Sequence, residues 1–222
     1  MSGEQSGTTH SRLAARYLRK TFAVNKPVRR ATAFVAGLGL YRFYVNGTEV
    51  GADDMLKPVP SDYRTTIYYN TYDVTSLCPV ADSMTVGITL GNGKYFAPRQ
   101  DKPYKNAVFG LPKCRMNMIV EYEDGTSQRL VTDETWQVSA DGPIRANNEY
   151  DGEEYDARLE PSNWQPAQRT AIPQGTLRAQ PTACMASREP RDSRNPRDPR
   201  DPRDPRDPRE SRKPRILDFG QN

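Results

Sequence analysis

Leu40-Tyr-Arg-Phe-Tyr-Val45, Asn46-Gly47 and Thr48-Glu-Val50 follow one another and decide the fold. Two apolar-rich runs meet across an Asn-Gly pair. A type I′ turn needs positive φ at both central residues, and Asn and Gly tolerate it best, so the stretch reads as a tight β-hairpin. Asn46-Gly-Thr48 also spells a glycosylation acceptor, but the hairpin turn accounts for it better. Working outward, Tyr17–Val24, Ala31–Ala36, Thr65–Tyr72 and Met84–Leu90 read as further strands. Cys114–Tyr122 and Thr126–Thr132 pair through Asp124-Gly125, read as a second I′ turn, and Ile144–Tyr150 is a last candidate. Pro58, Pro60, Pro79, Pro98, Pro103 and Pro112 fall in the connections, as strands require. No helical periodicity runs for 11 residues or more. Short strands with turn signals about every 8–12 residues predict an all-β fold, a single antiparallel, jelly-roll-like β-sandwich.

The ends have another texture. Residues 1–15 are small and polar and are expected to be disordered. Arg188 to Arg215, where Pro-Arg-Asp repeats at a three-residue period from Pro196 to Arg209, holds 11 Lys/Arg against 7 Asp/Glu. Its net +4 equals that of the whole 222-residue chain, so the remainder is neutral and the basic pI belongs to the tail. Asp offsets most of the Arg, which weakens phosphate attraction, so no nucleic-acid partner is expected. Each Pro removes a backbone donor, and disorder with local polyproline II character follows. No 18-residue apolar run exists, so no membrane span is expected. Met1–His10 has no apolar core of a signal peptide, which makes cytoplasmic the default expectation.

The chemistry is sparse. Cys78, Cys114 and Cys184 make no CxxC pair and read as buried thiols. His10 is the single histidine and lies outside any folded run, so His-based triads or metal sites are not expected. Gly91-Asn-Gly-Lys94 lacks the upstream Gly, the Ser/Thr and the helix of a phosphate loop, and Gly37-Leu-Gly39 lacks the third Gly of a dinucleotide fingerprint. Asp53-Asp54, Asp133-Glu134 and Glu153-Glu154 are adjacent acids. Neighbours on a strand point to opposite faces, so such pairs make poor acid and base partners. Asp133 reads instead as part of a turn leading to Trp136, a core anchor.

An ordered set of motifs then carries a resemblance. Tyr17-Leu-Arg-Lys-Thr-Phe22, Gly37-Leu-Gly-Leu-Tyr41, Asn46-Gly47, Asp62-Tyr63-Arg64 and Tyr72-Asp-Val-Thr75 come first. Leu90-Gly-Asn-Gly-Lys-Tyr95, Glu121-Tyr-Glu-Asp-Gly125, Thr132-Asp-Glu-Thr-Trp136, Gly142-Pro-Ile144 and Gly152-Glu-Glu-Tyr-Asp-Ala-Arg158 follow. From Tyr17 to Trp164 this order resembles the N-terminal β-domain of bacterial α-L-rhamnosidases, a family often exported. The sequence departs at Lys94, where many members carry Trp. With the composition, this order gives residues 1–15 as a disordered N-terminus, 16–165 as the β-sandwich that the resemblance implies, 166–214 as a disordered link whose Arg/Pro/Asp repeat stands where the family has an ordinary one, and 215–222 as the start of a second β-domain. The resemblance also implies an inverting hydrolase of terminal α-L-rhamnosyl residues, whose catalytic barrel lies downstream and is the missing partner.

Sugar binding needs aromatic faces and planar polar groups. Asn92, Tyr95, Asn148, Tyr150, Glu153, Tyr155, Asp156 and Arg158 supply both and are the candidate carbohydrate-binding residues, with rhamnose-containing glycans as candidate partners. No cofactor is required, although related rhamnose-binding jelly rolls use Ca²⁺, for which Asp, Asn and Glu oxygens are suited. The competing reading makes Glu153, Tyr155, Asp156 and Arg158 a partly buried, salt-bridged corner at the domain exit, with Asp156 and Arg158 paired. Three functions stay open: a rhamnosidase front end, a free carbohydrate-binding module, and a purely structural domain.

Overall fold

A computed structural model describes residues 13–98, 108–171 and 173–181. Its strands are β1 (Arg16–Val24), β2 (Val28–Leu38), β3 (Leu40–Val45), β4 (Thr48–Val50), β5 (Thr66–Asp73), β6 (Ala81–Gly91) and β7 (Lys113–Tyr122). There follow β8 (Ser127–Val131), β9 (Gln137–Ser139), β10 (Ile144–Asn148), β11 (Gly152–Tyr155), β12 (Gln165–Pro166) and β13 (Thr176–Ala179). A 3-10 turn at Thr75–Leu77 is the one helical element among the described residues.

Six strands form one sheet in the order β12-β9-β1-β6-β3-β4, and five form another in the order β13-β5-β2-β7-β8. The alternation of the sequence builds the core between them. Met84, Val86, Ile88 and Leu90 of β6 all point inward and are at most 2% exposed, while Thr85, Gly87 and Thr89 face outward. From the facing sheet, Ala33, Val35, Met116, Met118 and Val120 meet them, all fully buried. Each Val, Leu, Ile or Met among them contributes roughly 1.5–3 kcal/mol by leaving water. Trp136 closes one end, 1% exposed, with its indole N–H donating to the Val131 carbonyl at 2.9 Å. The chain passes from one sheet to the other between β2 and β3 at Gly39, whose φ is +120°.

The Asn46-Gly47 turn has φ of +49° and +79°, as its type requires. The second turn differs from the reading. Only Gly125 has positive φ, +81°, and the Tyr122 N–H donates to the Thr126 carbonyl at 2.9 Å. This is a three-residue connection closed by a left-handed glycine. Asp124 stays at negative φ because its carboxylate accepts from the Thr126 N–H and hydroxyl, at 2.9 and 2.6 Å.

The ordered chain is longer than expected at both ends. Leu13 and Ala15 are buried, and the Ala15 N–H donates to the Ile144 carbonyl at 3.0 Å, so the fold begins inside the segment read as a disordered tail. Beyond residue 165, β13 pairs in parallel with β5, from Thr176↔Thr66 to Ala179↔Tyr69. Part of the expected link is therefore a strand, and the five-stranded sheet is mixed. The Arg/Pro/Asp repeat, Cys184 and residues 215–222 lie outside the described residues. The stretch from Gly152, read as lying past the last strand, itself forms β11, hairpin partner of β10.

Candidate functional site

The candidate residues separate into two groups. Asn92 and Tyr95 follow β6 and point into the protein. Asn92 is 1% exposed. Its amide Nδ2 donates to the carbonyls of Leu13 at 2.8 Å and Asn147 at 2.6 Å, and its backbone N–H donates to Asn147 Oδ1 at 2.7 Å. It ties the chain start to β6 and β10, and those polar groups are already used. The Tyr95 ring is sandwiched in an aromatic cluster, 5.1 Å edge-on to Tyr63 and 5.9 Å stacked with Phe109. Burial pushes its phenol up from the usual range. Lys94, between them, is exposed.

The other group sits on or beside the β10–β11 hairpin. Asn148 Oδ1 accepts from the backbone N–H groups of Tyr150 and Asp151, both at 2.7 Å, and closes the turn. Its Nδ2 donates to the Pro98 carbonyl at 3.2 Å and to Asp151 Oδ2 at 3.1 Å. Glu153 and Tyr155 are exposed along β11, as is Tyr150 in the turn. Asp156 and Arg158 do pair: Nε to Oδ1 at 2.8 Å and Nη2 to Oδ2 at 2.7 Å. The Asp156 side chain is 28% exposed but that of Arg158 is 88% exposed, so the expected corner is a pair in a turn with its guanidinium in solvent. Hydrogen bonds from Arg158, side chain first and then backbone, hold the Asp156 carboxyl below its ordinary range. The reason is local: the chain leaves β11 at Tyr155 and turns, with the Leu159 N–H donating to the Asp156 carbonyl at 3.1 Å.

One of the adjacent acid pairs, Asp133-Glu134, has structural work. Asp133 caps its own turn through the Thr135 N–H at 2.9 Å and receives Lys20 at 3.3 Å, and Glu134 pairs with Arg169. The Thr135 hydroxyl first, then its N–H and Lys20, lower the Asp133 pKa. Among the described residues, no three His, Cys, Asp or Glu side chains converge as a metal ligand set.

One feature escaped the sequence. The outer face of the six-stranded sheet carries an open groove of about 240 Å³ lined by Tyr17, Tyr44, Gly87, Thr85, Thr89, Pro161 and Trp164, with parts of Leu18, Gly47 and Ile88. Tyr17, Tyr44 and Trp164 come from β1, β3 and the approach to β12, far apart in the chain. Only the tertiary fold gathers them, and the outward alternation of β1, β3 and β6 was the single signal available.

The sequence profile of the α-L-rhamnosidase N-terminal domain matches residues 26–189. The chain belongs to that family. An α-L-rhamnosidase of Formosa agariphila is 40% identical over 158 residues, 68% of this chain and 16% of that protein. One from Streptomyces avermitilis is 39% identical over 158 residues, 68% of this chain and 14% of its own length. Among solved structures, the α-L-rhamnosidase from Dictyoglumus thermophilum superposes with a TM-score of 0.66 at 36% identity, over 75% of this chain and 19% of that one. The Streptomyces avermitilis enzyme complexed with L-rhamnose gives 0.61 at 31% identity, over 74% and 16%. The chain thus spans 14–17% of the length of the curated relatives it matches.

Proposed function

We propose that this chain is the non-catalytic N-terminal β-sandwich of an α-L-rhamnosidase, an enzyme hydrolysing terminal α-L-rhamnosyl residues of glycans. The observation that carries the reading is the family match to residues 26–189 within a small share of much longer rhamnosidases. Glycoside hydrolysis sets two carboxyls on either side of a bond, about 6.5–9.5 Å apart for inversion. Asp133, Glu134 and Asp156 are instead engaged with Thr135, Lys20, Arg169 and Arg158, which supports a catalytic centre elsewhere in the parent enzyme. The domain's partner is then that catalytic domain.

The test is direct. The chain, incubated with an aryl α-L-rhamnoside, should release no more phenol than a heat-denatured sample. Turnover abolished by Asp133→Asn or Glu153→Gln would overturn the proposal. A free glycan-binding module is the second reading, favoured by the groove on the six-stranded sheet.

A further inference from the structure

We propose that this groove binds one neutral pyranose unit of a glycan, with Tyr44 and Trp164 as walls and Gly87 as floor. Strand register places the parts. Arg19 of β1 faces Gly87 of β6, and Gly87 faces Tyr44 of β3, so the three form one row across the sheet. Neighbouring strands lie about 4.8 Å apart, so Arg19 and Tyr44 stand about 9.6 Å apart with no side chain between them.

The fold does not need a glycine at that point. Gly87 is absent from the positive-φ glycines, and an added Cβ would meet its nearest atoms, the Leu18 carbonyl and Tyr44 Cβ, at an ordinary 3.7 Å. Glycine inside a strand weakens it and commonly marks a close approach by something else. What the missing side chain leaves is the floor of the groove.

The walls are held in place. The Arg19 guanidinium lies 3.8 Å from the Trp164 ring centre and is anchored by donating to Gln137 Oε1 at 3.1 Å. The Trp164 indole N–H is already used on the Pro161 carbonyl at 3.1 Å, so what the ring can offer a ligand is the π-face that Arg19 leaves uncovered. Tyr17 is fixed by accepting from the Ile144 N–H at 3.0 Å. Thr85 and Thr89 put hydroxyls on the same face, two residues either side of Gly87. Aromatic surface beside hydroxyls matches a sugar ring, which has C–H faces and an equatorial fringe of hydroxyls. None of the residues lining the groove is charged, the Arg19 cation at its edge being stacked on Trp164, and an open space of about 240 Å³ is of the order of a single sugar ring.

The groove is argued independently of the function proposed above; only the choice of a rhamnoside as first probe rests on it. The ¹⁵N-labelled full chain is titrated with methyl α-L-rhamnoside and, separately, with methyl α-D-glucoside and methyl β-D-galactoside. Saturable amide shifts are expected at Gly87, Thr89 and Tyr44 and at the Trp164 indole, with the buried Trp136 indole unmoved. Gly87→Val and Trp164→Ala should each abolish them while the melting temperature holds. Shifts with another glycoside alone would keep the groove as a sugar site and remove rhamnosyl as its ligand. No shift with any of the three, or shifts that persist in both variants, overturns the proposal.

Discussion

One added methyl group should have opposite consequences at Gly39 and Gly87. At Gly39, φ is +120°, and a Cβ would fall 2.2 Å from the Gly91 carbonyl oxygen and 3.3 Å from that of Asn92. Both obstacles are backbone, and neither can yield easily. Gly91 is paired with Leu40, and Asn92 is stapled to Leu13 and Asn147. Backbone strain in a region nearly exclusive to glycine costs about 1–3 kcal/mol. Relieving the clash adds about 1–3 kcal/mol, as overpacking does. For a domain of this size each kcal/mol lowers the melting temperature by about 2–4 °C, so Gly39→Ala should fall by on the order of 10 °C. At Gly87 the new Cβ meets ordinary contacts at 3.7 Å, and the unfolded chain loses freedom. Gly87→Ala should therefore be neutral or stabilised by up to about 1 kcal/mol. Far-UV circular dichroism melts of the two variants and the parent decide the matter. A Gly39→Ala melt indistinguishable from the parent, or an equal loss at Gly87, would refute the reasoning.

Two further outcomes follow from charge. Hydrogen bonds from Lys26 first, then from the Thr126 hydroxyl and N–H, hold the Asp124 carboxyl at about 2. Its unfolded value is about 3.9, so its stabilising contribution is complete above that pH and disappears as pH falls towards 2. Asp124→Asn should remove that part of the acid sensitivity, and a carboxyl NMR titration with a midpoint near 4 would contradict the assignment. Arg158→Ala should leave the melting temperature unchanged, because the Arg158 guanidinium lies in solvent; a drop of several degrees would show that the pair contributes as a buried one does.

Much of the fold was legible because it is written in local chemistry. Asn46-Gly47 can hardly do anything but turn, and the alternation of β6 from Met84 to Leu90 shows which residues face inward. Asp124-Gly125 was legible as a turn but not as its type, because the choice between two connections was made by a hydrogen bond from Thr126 to the Asp124 carboxylate. The strand β13 carried no such mark. Thr176–Ala179 is exposed throughout, and its pairing with β5 links residues over a hundred positions apart. Leu13 and Ala15 are buried only because Asn92, Asn147 and Ile144 come to meet them.

The candidate site shows the same division. The residue types suited to sugar were visible, but only the structure showed that Asn92 and Tyr95 face the protein and that Tyr17, Tyr44, Gly87 and Trp164 line one open groove. By itself the sequence determined strands, turns and the family resemblance, since periodicity and turn propensity act over a few residues. Only the tertiary structure decided which polar groups were spent on the protein and which aromatic rings shared a surface. That depends on strand register between distant segments, where a shift of one residue exchanges the two faces of a sheet.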